Sequence, residues 1–152
     1  MKLPVAFSAV TFAFSLPATV FAGSSEITVE DAWARASIGI SRPGAAYMTI
    51  RNTGDEAVIL TGLSTELALM PDIHRSTTNE QGVTSMSPAD DIEIPGGGAV
   101  VLEPGGLHAM LMQLQRPMKE GESFDLTLEF SDGGKAQVEV PILDIAARGP
   151  ED

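Results

Sequence analysis

Residues 124–142 read FDLTLEFSDGGKAQVEVPI, and the fold class follows from this stretch. Phe124, Leu126, Leu128 and Phe130 alternate with Asp125, Thr127 and Glu129. After Ser131-Asp132-Gly133-Gly134, Ala136, Val138, Val140 and Ile142 alternate with Gln137 and Glu139. A period of two puts the apolar set on one face of an extended chain, so each run is a half-buried strand and the polar, glycine-containing tetrad between them is a hairpin turn. The same punctuation runs through the chain, with Gly, Pro, Asn or Asp cutting the apolar runs about every eight to twelve residues. Further strands are expected near Ile27–Trp33, Ala46–Arg51, Val58–Leu63, Asp72–Thr77, Val83–Ser87, Ile92–Ile94, Ala99–Leu102 and His108–Leu114, with a helical turn at Leu67–Met70. The expected fold is all-β, a Greek-key sandwich or barrel of about nine or ten short strands.

The chain has 152 residues, the size of one domain plus a short address segment. Residues 1–22 read as an export signal: Lys2 is the positive end, Val5 to Leu16 is almost wholly apolar or small, and Pro17 precedes Val20-Phe21-Ala22 at the cleavage position. Ser8, Thr11, Ser15 and Pro17 interrupt the run that a transmembrane anchor needs. The expected organisation is a signal peptide over 1–22, a β domain over 23–145 and a short flexible tail over 146–152. The mature chain is then periplasmic and soluble, without membrane insertion. Cleavage removes Lys2 and takes the formal charge from −12 to about −13.

That acidity argues against nucleic acid as a partner, as do the aromatics, of which only Trp33, Tyr47, Phe124 and Phe130 lie beyond the signal. The sequence has no Cys. This excludes disulfides, thiolate nucleophiles, iron–sulfur ligation, Cys-based zinc sites and the His₂Cys blue-copper centre. It also leaves no thiol after the cleavage position for a lipid.

Both histidines, and four of the six methionines beyond the signal, lie between Met70 and Met112. His74 is followed after eleven residues by Met86, and Met86 after twenty-one by His108-Ala109-Met110. On a strand, residues two apart share a face about 6.6 Å apart, so His108 and Met110 converge, with Met112 on the same face. Taking Thr78–Gly82 as a five-residue hairpin loop sets His74 directly opposite Met86. Two imidazoles and two thioethers form a soft, neutral ligand set, which suits Cu(I) above zinc or hard cations. The competing reading of each Met as core filling is strongest for Met48 and Met118. Trp33 reads as core or as a lid on the sheet, and Asp72 either orients an imidazole or is an exposed strand carboxylate. Gly96-Gly97-Gly98 and Gly105-Gly106 read as tight turns, since neither a helix start nor a Lys follows them as in a phosphate loop.

These residues resemble the motif HX11MX21HXM of the periplasmic copper chaperone family called PCu(A)C. The likeness extends over nearly all the mature chain, including Asp31-Ala32-Trp33-Ala34-Arg35, the run Ala46-Tyr47-Met48-Thr49-Ile50-Arg51-Asn52-Thr53-Gly54, Leu102-Glu103-Pro104-Gly105-Gly106 and Arg116-Pro117-Met118-Lys119-Glu120-Gly121. The resemblance implies a cupredoxin-like fold, one Cu(I) per chain held by His74, Met86, His108 and Met110, and supply of the dinuclear copper centre of cytochrome c oxidase. Arg75 and Thr84 stand where some members carry additional Met, and residues 145–152 lack the His and Met of some members' tails. Whether Met70 or Met112 assists binding stays open at this level.

Three classes compete: a Cu(I) metallochaperone, an enzyme, and an exported interaction module or a copper storage or scavenging protein. Neither Gly-x-Ser-x-Gly nor His-Glu-x-x-His occurs, and two imidazoles are few for a copper redox enzyme, so no enzyme is expected. Without Cys the chain does not reduce an acceptor disulfide, so a separate thiol reductant is expected to prepare the acceptor. Protons compete with Cu(I) for imidazole but not for thioether. Cu(I) affinity measured by chelator competition should therefore fall between about pH 7 and about pH 5, approaching a hundredfold per pH unit if both His74 and His108 are protonated on release. A flat profile, with both apo imidazoles titrating in that range, would remove the histidines from the site.

Overall fold

The computed structural model describes residues 24–151, so the segment read as an export signal lies outside the described residues. A short 3₁₀ turn, Ser24–Glu26, leads into ten strands: β1 (Ile27–Arg35), β2 (Gly44–Asn52), β3 (Val58–Ser64), β4 (Ala68–Thr78), β5 (Thr84–Pro88), β6 (Ile92–Ile94), β7 (Ala99–Leu102), β8 (Leu107–Leu114), β9 (Ser123–Phe130) and β10 (Lys135–Leu143). The all-β expectation holds. One layer is ordered β5-β4-β8-β2-β1, with β7 also on β2, and the other is β10-β9-β3-β6. They are joined where β1 and β10 run parallel, Ala34 beside Ile142 and Arg35 beside Leu143. The path is open at β5 and β6, so the sheet does not close into a barrel.

The alternation that reveals β9 and β10 is the alternation that builds the core. Leu126, Leu128 and Val140 are fully buried against Met48, Ile50 and Leu111 of the other layer. Between β9 and β10 the turn forms where expected: Gly133 takes φ 81°, the Asp132 side chain accepts the Gly134 N–H at 2.8 Å, and Lys135 pairs with Glu129. Leu67–Met70 is not a helical turn. Ala68 to Met70 already belong to β4, because Ala68 and Met70 pair with Leu114 and Met112 of β8 and this ladder satisfies backbone groups that an isolated turn would leave open.

A bulge in β1 decides where Trp33 goes. Asp31 has φ 52°, and the register with β2 slips by one residue between Glu30 and Trp33. Val29 faces the core, and the extra residue sends Trp33 to the outer face and Ala34 inward. Trp33 is therefore the lid of the earlier alternatives. Its ring lies 4.6 Å from that of Tyr47, and the Arg35 guanidinium sits 5.7 and 5.6 Å from the two ring centroids. Burial pushes the Tyr47 phenol above its ordinary pKa, and the Arg35 charge offsets part of this. Arg35 Nε also donates to the Ala147 carbonyl at 2.6 Å, and Ala147 is buried in the same cluster. The chain after Leu143 thus turns back onto the sheet, where polarity alone suggests a loose tail.

Asn52, 1% exposed, ties the two layers together. Its amide donates to the carbonyls of Glu56 (2.7 Å) and Ile94 (3.1 Å), and its side-chain oxygen accepts the Gly54 N–H at 3.0 Å. Asn52→Ala removes all three bonds, including the one to the carbonyl of the fully buried Ile94. Equilibrium denaturation of that variant should show a loss of about 2–4 kcal/mol, and a loss under about 0.5 kcal/mol would mean that the clasp contributes little.

Candidate metal centre

The antiparallel pairing of β4 with β8 assembles the centre. His74 stands directly opposite His108, Asp72 opposite Met110, and Met70 opposite Met112. Ile73 and Ala109, the intervening partners, face the core, so all six of these side chains lie on the outer face. The imidazole centroids are 6.2 Å apart. His108 is 4% exposed and Met110 is half-buried.

The Nε2 atoms of both histidines are buried and have no hydrogen-bond partner. An unpaired buried polar atom costs about 1–3 kcal/mol, and two on facing side chains require an explanation. Nδ1 of His108 lies 3.2 Å from the Gly106 carbonyl. That oxygen only accepts, so in the neutral ring Nδ1 carries the proton and the Nε2 lone pair is left without a protein partner. The Gly106 carbonyl also accepts the Ser76 N–H at 3.0 Å, and it is aimed by the turn at Gly105, whose φ is 86°. The Gly105-Gly106 turn is thus part of the centre, a role that the sequence signals only by its two glycines.

Met86 does not stand opposite His74. The hairpin closes with Thr78 paired to Thr84, so Met86 faces Ser76 and His74 faces Pro88. The loop is Asn79–Val83, one residue later than expected. The Asn79 side chain accepts the N–H groups of Gln81 and Val83, and the hydroxyls of Thr78 and Thr84 meet at 2.9 Å. This displaces the register by two residues, which preserves the face. Met86 remains a diagonal neighbour of His74, within the reach of a long side chain, and is 58% exposed.

Asp72 takes the second of its two alternatives. Its carboxylate accepts the N–H of Ile73 at 2.8 Å, is half exposed, and stands 4.0 Å from Nε2 of His74, too far for a hydrogen bond. It leaves a negative charge near the imidazoles without orienting the ring. Among the described residues no group of three or more His, Cys, Asp or Glu side chains is placed to hold a metal ion. The contact between Gln113 and Met70, 3.0 Å from Nε2 to Sδ, had no signal in the sequence.

Residues 27–142 match the family model described as "Putative lipoprotein LpqE-like". The chain belongs to this family. It is also 33% identical over 120 residues to "Putative lipoprotein Lxx21020" of Leifsonia xyli subsp. xyli, covering 79% of this chain and 71% of the relative. The LpqE-like family is that of the PCuAC domains, as the structural likenesses agree. The solution structure of CuI-DR1885 from Deinococcus radiodurans is 35% identical, with a TM-score of 0.59 over 84% of this chain and 86% of that one. The copper-bound PCuAC domain from PmoF2, 22% identical, shares the fold with a TM-score of 0.65 over 78% of this chain and 93% of that one. The LpqE-like description implies an exported protein, and among the described residues no helix is long and apolar enough to cross a membrane. This LpqE-like chain has no Cys, so none of its residues offers a thiol to a lipid.

The tautomer assigned to His108 is directly measurable. Long-range ¹H–¹⁵N spectra of the metal-free protein should show His108 with its proton on Nδ1, and a proton on Nε2 would contradict the assignment.

Proposed function

We propose that this protein is an exported Cu(I) metallochaperone that binds one ion through His74, Met86, His108 and Met110 and releases it by ligand exchange. The observation that carries this reading is the pair of buried, unpartnered Nε2 atoms on the directly opposed His74 and His108, with Met110 one step along the same face and Met86 a diagonal neighbour. The ligand set is neutral and soft, so it favours the monovalent ion. The Cu(I) form of a relative 35% identical supports the same metal.

The placement of the donors suggests an order of release. Met86 lies on the exposed edge strand β5, whereas His108 is buried at the centre of the layer. An incoming thiolate displaces the exposed Met86 thioether first, and the more deeply placed donors let go after it. Copper stays Cu(I) throughout, so no electron moves. We assign the dinuclear copper centre of periplasm-facing cytochrome c oxidase as the acceptor, its cysteines kept reduced by a separate thiol reductant, because this chain has no thiol. The absence of a thiolate also argues that the protein carries the ion and not the electron.

Native mass spectrometry of the mature protein under reducing conditions should show one tightly bound Cu(I). Met86→Leu and Met110→Leu should each weaken Cu(I) binding at least about tenfold, or about 1.4 kcal/mol, with the melting temperature little changed because Leu and Met have similar volumes. Unchanged affinity in the double variant would exclude the thioethers. For the acceptor, cells lacking the protein should lose oxidase activity mainly when copper is scarce, and normal activity in copper-depleted cells would point to storage or scavenging instead.

A further inference from the structure

Met70 and Met112 are left over once the centre is described. They form a directly opposed cross-strand pair, one step beyond Asp72 and Met110 and two steps beyond His74 and His108. Directly opposed residues hold their Cβ atoms about 4.5–5.5 Å apart, and successive same-face residues on a strand stand about 6.6–6.8 Å apart. The Met110 thioether therefore lies within reach of both pairs. Packing does not account for Met70, which is 51% exposed and fills no core space.

A second observation concerns Gln113. It has φ 56°, one of two non-glycine residues with positive φ among the described residues. At this residue the inside–outside alternation of β8 slips by one: Met112 remains on the outer face while Leu114 turns into the core. The same kink leaves the Gln113 amide exposed, and it donates to Met70 Sδ at 3.0 Å. A backbone conformation that L side chains rarely adopt thus accompanies a fixed thioether beside a second one.

We propose that Met70, Met112 and Met110 form a second, weaker position for soft monovalent cations, through which Cu(I) passes between solvent and the His74–His108 centre. The inference rests on the copper reading above. Exposure decreases along the ladder, from Met70 through the half-buried Met112 and Met110 to His108. The Asp72 carboxylate, partner of Met110 in the register, adds negative charge midway without supplying a hard ligand cage. Because Met110 serves both positions, one ion moves by exchanging neutral ligands, without electron transfer and without a tightly held second ion.

Two measurements on the full mature chain test this. In the Met70→Leu/Met112→Leu variant, extraction of Cu(I) by excess bicinchoninate should slow about tenfold, while equilibrium affinity changes less than about twofold. In a His74→Gln variant with ¹³C-methyl-labelled Met, Ag(I) as a redox-inert probe should still shift the methyl signals of Met70, Met110 and Met112. An unchanged extraction rate overturns the proposal, as does a fall in affinity as large as the fall in rate, which would make these residues ligands of the centre itself. Should His74→Gln fail to fold, the rate measurement alone decides. Wild-type protein whose His74 and His108 rings respond to Ag(I), with the variant's Met70 and Met112 methyls unmoved, overturns the transit position alone. Methyl shifts without any histidine response would leave a methionine position for soft cations but overturn the centre, and with it the transit role.

Discussion

The antiparallel register between β4 and β8 sets His74 against His108, and a slip of one residue would bury an imidazole and expose Ile73 or Ala109 in its place. Three independent constraints hold it. Ile73, Ala109 and Leu111 are anchored in the core, Met70 to His74 keep unbroken pairing with His108 to Met112, and the Gly106 carbonyl grips both Ser76 of one strand and the His108 ring of the other. The donor geometry is thus a property of the sheet. A side chain that depends on a loop for placement enjoys less of this, and Met86, on the edge strand beyond the Asn79–Val83 loop, is the most exposed of the four proposed ligands.

Most of the fold was legible because nearly every strand buries one face, and burial writes a period of two into the sequence. The failures are local and have physical causes. The loop of the β4–β5 hairpin was placed one residue early because five polar residues give no hydrophobic signal, and the choice depends on the Asn79 side chain capturing two backbone N–H groups. Trp33 could not be assigned to a face because a bulge at Asp31 changes parity without changing composition. Leu67–Met70 reads ambiguously because the buried Leu67 and Ala68 and the exposed Leu69 and Met70 are all apolar, so no period of two shows. The clasp at Asn52 carries no sequence signal, since a buried amide looks in sequence like any turn residue.

The chemistry of the centre was legible for a different reason. Two histidines and a cluster of methionines in a chain with no Cys leave few functions open, and softness selects among them. What the sequence could not reveal was protonation: the Gly106 carbonyl favours one tautomer of the neutral His108 ring, which leaves its buried Nε2 as an acceptor without a partner. Rings held in this way would lose little ordering entropy on taking up an ion, and the exposed Met86 stands beside them.

The parallel joint between β1 and β10 has a bearing on when this protein becomes itself. Ala34 meets Ile142, so the two layers are stitched by segments from opposite ends of the described chain. A nascent polypeptide can form the β1–β2 and β9–β10 hairpin pairings locally, but the seam between layers waits for the last strand to emerge. High sequence separation of contacts places such topologies among the slower folders, at about milliseconds to seconds. The arrangement of the imidazoles rests on Ile73, Ala109 and Leu111, and these lie in a core that the last strand completes with Val140 and Ile142.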